Sequence, residues 1–87
     1  MRLESCAALF READLLYVYG EHKAAAELRE AAEAVERYID GLADSKLRRI
    51  CRARYCYGWT WQKIAFASGC TSEAAPRLYV RRHLPRP

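Results

Sequence analysis

The stretch Thr60-Trp-Gln-Lys-Ile-Ala-Phe-Ala-Ser-Gly-Cys-Thr-Ser72 decides how this chain is read. Thr60 carries a hydroxyl suited to capping a short helix, Trp61 to Ser68, whose Trp61, Ile64 and Ala65 fall on one face. Ala65 is small enough to let a second helix cross closely. Gly69, four residues on, supplies the positive φ that a tight turn between helices needs. Cys70-Thr71 turns, and Ser72 opens a last helix that reaches about Leu84, where Pro85 and Pro87 stop it. This is helix-turn-helix spacing. An Ala-x-x-x-Gly step alone is common; its weight here comes from the Trp/Ile core, the hydroxyl cap and the arginines downstream. Arg77, Arg81 and Arg82 offer guanidinium groups that can reach phosphates or guanine edges.

Upstream, Asp44 or Ser45 caps a third helix running to about Tyr57, with Leu47, Ile50, Cys51 and Tyr55 as its apolar side and Gly58 closing it. Glu21 to Leu42 is the cleanest amphipathic segment. Leu28, Ala31, Ala32, Val35, Tyr38, Ile39 and Leu42 recur at three- and four-residue steps, opposite Glu30, Glu33, Glu36, Asp40 and Asp44. A first helix over residues 3–18 places Leu3, Leu9, Phe10, Leu16 and Tyr17 near one stripe, and Gly20 ends it. The two segments form an antiparallel hairpin or one long helix kinked near Gly20. Ala, Leu, Arg and Glu dominate and β-branched residues are scarce, so the expected class is all-α. The expected architecture is an N-terminal helical hairpin packed on a C-terminal tri-helical helix-turn-helix. One domain holds both: an acidic helical support (1–43), the basic helix-turn-helix (44–84) and a short tail (85–87). At 87 residues the chain is near the lower limit for a self-sufficient core, which makes a homodimer one route to stability.

The net charge of +4 hides a strong asymmetry. Residues 1–44 balance at −5, whereas residues 45–87 balance at +9 with Glu73 as their single acid. An acidic half joined to a basic half points to a nucleic-acid surface carried on a separate support. The alternative is that the halves neutralise each other across a packed interface.

Leu47-Arg-Arg-Ile-Cys-Arg-Ala-Arg-Tyr-Cys-Tyr-Gly-Trp-Thr-Trp-Gln-Lys-Ile-Ala65 resembles the sigma-factor region-4-like helix-turn-helix. More narrowly, it resembles small phage and prophage transcriptional regulators of the ArpU/RinA kind. The pattern is an Arg-Tyr, then a Gly, then a Trp shortly before an Ile-Ala, and the likeness covers about residues 40–84. It implies that Thr60 to Ser68 is the positioning helix and Ser72 to Leu84 the recognition helix. Thr71, Ser72, Glu73, Arg77 and Arg81 become the groove-facing candidates, with double-stranded DNA as partner. Pro76 departs from the pattern, which has an aliphatic residue there. Inside a helix a proline costs about 3 kcal/mol, so the recognition helix is expected to start later, near Ala75, or to kink.

Two registers compete for the inward face of that helix. The Ala65–Gly69 register turns Ala75 and Leu78 inward, whereas the apolar count favours Tyr79, Val80, His83 and Leu84. Both leave Arg77 and Arg81 outward, one turn apart. These two can also be read as partners of Glu73 or of the acidic helix. Arg82, Lys63 and Arg49 complete the expected DNA-binding set. Arg48, Arg49, Arg52 and Arg54 otherwise read as a solvated face, with a carboxylate of the acidic helix as an alternative partner for Arg54. Trp59 and Trp61 read as core or edge packing.

The four cysteines, Cys6, Cys51, Cys56 and Cys70, form no Cys-x-x-Cys pair, and only His22 and His83 could join them. Cys51 and Cys56 are five apart, on different faces of an α-helix. No metal and no cofactor is therefore expected. Without a glycine-rich phosphate loop or an evident nucleophile pairing, no enzyme is expected either. No apolar run is long enough for a membrane span, and Glu4, Arg11, Glu12 and Asp14 break any secretory core, so the expected compartment is the cytoplasm of a bacterial host. Three functions compete. The first is a phage-type DNA-binding regulator, acting alone or with RNA polymerase. The second is a small phage inhibitor of a host nucleic-acid-handling complex, such as an anti-CRISPR protein. The third is an oligomerisation module pairing through the Leu28–Leu42 stripe.

Overall fold

Among the described residues the chain forms five α-helices. The computed structural model describes residues 6–84, and among these there is no strand. Helices α1 (Cys6–Val18) and α2 (His22–Asp40) pack as a hairpin. Gly20, at φ +84°, closes α1, with the Glu21 N–H donating to the Leu16 carbonyl and its own N–H to that of Tyr17. That settles the choice between a hairpin and a kinked helix. Helix α3 (Ser45–Cys51) runs on into a π-helical segment, Arg52–Cys56, and α4 (Trp61–Ala67) and α5 (Ala74–His83) complete the order. Leu3, Pro85 and Pro87 lie outside the described residues.

One apolar core threads every element, with Leu9 from α1, Val35 and Ile39 from α2, Ile50 from α3, Ile64 from α4 and Val80 from α5. The start of α1 and the end of α2 reach this core, so the loop end of the hairpin stands away from it. Ala13 and Ala25 hold the arm together through close small-residue packing, with Arg29–Asp14 as an ion pair on its surface. Tyr17 is therefore no core residue: it is 58% exposed and stacks on His22. Ala31, expected on the buried stripe of α2, is exposed as well, on the flank that no neighbouring helix covers.

Asp44 is the N-cap of α3. Its Oδ1 accepts the backbone N–H groups of Lys46 (2.9 Å) and Leu47 (3.1 Å), and its Oδ2 accepts the Tyr79 hydroxyl of α5 (2.6 Å). Thr60 caps α4 by accepting the Lys63 N–H. Gly69, at φ +71°, ends α4: its N–H donates to the Phe66 carbonyl and that of Cys70 to the Ala65 carbonyl. These paired bonds are the Schellman arrangement, and they set the angle between α4 and α5.

Helix α5 begins at Ala74, two residues later than the Ser72 start, so Pro76 falls in its first turn. A first-turn residue has no helical acceptor for its N–H, and the carbonyl four back belongs to Ser72, outside the helix. Proline therefore neither breaks nor orphans a bond here; its side chain is buried instead. The inward face is Pro76 and Val80, with Tyr79 and Leu84 half-buried. The apolar-count register thus describes α5 better, although His83 is exposed. The Ala65–Gly69 register fails, because Ala75 is exposed and Leu78 is 42% exposed.

The segment Arg52–Cys56 is π-helical, where an α-helix is expected to run to about Tyr57. The Tyr57 N–H donates to the Arg52 carbonyl five residues back, a repeat that places residues five apart nearly above one another. Cys51 and Cys56 consequently lie on neighbouring faces rather than on different ones.

Two stability measurements follow. The hydroxyl of Tyr79, then the backbone N–H groups, hold the Asp44 carboxyl below its ordinary value of 3.8. The unfolded chain thus binds the extra proton, and the stabilisation is complete above about pH 4 and lost as pH falls through the lowered value. Asp44→Asn should flatten the acid limb of a thermal-melt series against pH. Gly69→Ala should cost about 1–2 kcal/mol in urea unfolding. Nothing lies within 4 Å of its new Cβ, so the whole cost is the positive φ.

Candidate nucleic-acid interface

The basic half divides into cations used inside the fold and cations left over. Arg48 is half-buried and donates to the Leu42 carbonyl at 2.8 Å, closing the loop between α2 and α3. Arg52 pairs with Asp40. Arg54 donates to the Trp59 carbonyl at 3.0 Å and lies 4.9 Å from the centroid of the Trp61 ring. It bonds no carboxylate of α2, contrary to the sequence alternative; Arg52 makes that contact.

Lys46 is exposed with its ammonium over the Tyr79 ring, and five further described cations are exposed: Arg49 on α3, Lys63 on α4, and Arg77, Arg81 and Arg82 on α5. The ion pairs among the described residues are Arg29–Asp14 and Arg52–Asp40, so none of these five is neutralised by a carboxylate. Among the described residues a single ion pair, Arg52–Asp40, crosses between the acidic and the basic halves. Aromatic faces steady part of the set, with the Lys63 ammonium 4.3 Å from the Trp59 ring and Arg77 5.9 Å from Trp61. Both tryptophans are half-buried against the core, as edge packing requires.

Thr71, Ser72 and Glu73 are exposed at the entry to α5. The Ser72 Oγ accepts the Ala74 N–H at 3.1 Å, which ties that hydroxyl to the helix start. With Gln62, Phe66 and Cys70 they line a shallow hollow of about 290 Å³ at the turn. Phe66, 87% exposed, is a feature the sequence reading missed. Its signal was available, since it stands one position past the Ile64-Ala65 inward pair. Arg49 lies apart from this hollow, on a cleft of about 600 Å³ between α3 and α4 that it lines with Lys46, Arg52, Tyr57, Trp59 and Ile64. The cleft has three cations at its edge and no acid.

Cys6, Glu36 and Cys56 also come together, fifty residues of chain separating the two cysteines. Burial first, then the facing thiol, pushes the Cys6 thiol up to about 12, and burial likewise raises Cys56. Among the described residues no helix is long and apolar enough to cross a membrane. No family model, curated protein or solved structure matches the chain.

This sorting of cations is open to measurement. Arg48→Ala and Arg54→Ala should each lower unfolding stability by about 1 kcal/mol, through a lost bond to a backbone carbonyl. Arg49→Ala and Arg81→Ala should stay within about 0.5 kcal/mol of the parent.

Proposed function

We propose that this chain is a DNA-binding transcriptional regulator of the small phage type, using α4 and α5 as a helix-turn-helix. The observation that carries the reading is the outward face of α5, where Arg77, Arg81 and Arg82 are exposed and have no carboxylate partner among the described residues. In this reading α5 enters the major groove of double-stranded DNA. Thr71, Ser72 and Glu73 meet base edges at its start, and Arg77 and Arg81 meet guanines or phosphates along its length. Arg82, Lys63 and Arg49 hold flanking phosphates, and Phe66 offers an apolar contact of the kind thymine methyl groups receive. Pro76 no longer speaks against a working recognition helix, because it lies in the first turn.

A second reading, inhibition of a host nucleic-acid-handling complex such as a CRISPR effector, draws on a different feature. Leu15, Tyr17, Val18 and Tyr19 expose an apolar tip at the far end of the hairpin, from 56% to 78% of each residue. The same tip would serve a regulator that contacts RNA polymerase.

Fluorescence anisotropy on labelled random and promoter duplexes separates these readings. The regulator should bind with an affinity that falls as salt rises, with a slope of about 0.9 per phosphate contact, and should tighten on one sequence. The Arg77→Glu/Arg81→Glu double variant should lose this binding while keeping its helical circular dichroism. Absence of binding at low salt would overturn the proposal and favour a protein target, sought by pull-down through the hairpin tip.

A further inference from the structure

The Sγ atoms of Cys6 and Cys56 lie 3.7 Å apart, and a Glu36 carboxylate oxygen lies within 4.8 Å of both. We propose that Cys6, Glu36 and Cys56 form a binding site for one thiophilic divalent cation of the zinc type. Two sulfurs held at about 2.3 Å by a tetrahedral zinc are about 3.8 Å from each other, which is the separation already present. A disulfide would need the sulfurs to close to about 2.05 Å and would make no use of the carboxylate beside them.

The donor set also has the right chemistry. Two thiolates and a carboxylate suit a borderline-soft ion, with the fourth position left to water. Asp14 and Asp40 each have an arginine, whereas no ion pair among the described residues engages Glu36. Glu36 instead faces the two thiols, with a carboxylate oxygen within 4.8 Å of both sulfurs. Binding is a proton exchange with no redox step: the ion takes the place of the two thiol protons, which leave to solvent. Cys6 is fully buried, while Glu36 and Cys56 are half-buried and give the ion a path in.

The site's position gives it a structural role. Its ligands come from α1, α2 and the π-helical segment, so the ion would pin the hairpin to the helix-turn-helix half. Small cores commonly gain stability from such a staple. The π-helical segment is what makes this possible, because it carries Cys56 round to the side of Cys6. This proposal does not rest on DNA binding.

Cobalt(II) is the direct probe, added to the reduced full-length chain without oxygen and then displaced with zinc(II). One cobalt per chain should bind with a sulfur-to-metal charge-transfer band and tetrahedral d–d bands, and one equivalent of zinc should remove them. Cys6→Ser and Cys56→Ser should lose the charge-transfer intensity, Glu36→Gln should weaken binding at least about tenfold, and Cys70→Ser should match the parent. If Cys6→Ser does not fold, Cys6→Ala and the half-buried Glu36→Gln carry the comparison. A missing charge-transfer band, a band kept without Cys6, a band lost with Cys70, or an oxidised Cys6–Cys56 pair that forms in place of metal uptake would each overturn the site.

Discussion

Asp44 joins α3 to α5 through one carboxylate. Its Oδ1 satisfies the first free N–H groups of α3, and its Oδ2 receives the Tyr79 hydroxyl from α5. The two bonds together fix how α5 is rotated about its own axis. With Tyr79 held at Asp44 and its ring beneath the Lys46 ammonium, Val80 must point into the core. Arg77 and Arg81, one turn apart, are then left on the outer side. A change at Asp44 would therefore act on more than one helix end: it would loosen the register of the helix that presents the free arginines.

Three arginines of the basic half are taken up inside the fold. Arg48, Arg52 and Arg54 sit where α3 and its π continuation meet the loops and α2, and each finds a carbonyl or carboxylate. Arg48 and Arg52 tie the basic half to residues of the acidic half, and Arg54 ties the π-helical segment to the loop before α4. Arg81 and Arg82 face solvent at the far side of α5, where Glu73 is the only acid in the basic half of the sequence. Surface ion pairs contribute little, about 0–1 kcal/mol each. The charge asymmetry is thus a poor device for stability, and a phosphate-rich partner gives it a physical use.

Much of this was legible because it is local. Capping by Asp44 and Thr60 and the positive φ at Gly69 depend on residues within one helical turn, so sequence spacing predicts them. The inward face of α5 was not local. Two registers fitted the residues, and the Asp44–Tyr79 bond, which spans 35 residues, chose between them. The later start of α5 that Pro76 demands was legible as well: the helix begins at Ala74, and the proline is harmless in its first turn. The arrangement of the cysteines was not legible, because the segment before Tyr57 is π-helical rather than α-helical and the partner of Cys56 lies fifty residues away. Whether the exposed residues of α4, α5 and the intervening turn read DNA was an expectation from pattern and resemblance, and it stands as a proposal carried by their exposure and their unpaired charge.

The most direct test is a nitrogen-15 spectrum of the labelled protein titrated with a DNA duplex. The account predicts that the largest shift changes fall between Lys63 and Arg82, with smaller ones at Arg49, and that Glu30 and Glu33 on α2 stay where they are. Changes centred on the α1–α2 hairpin, with α5 unmoved, would contradict it.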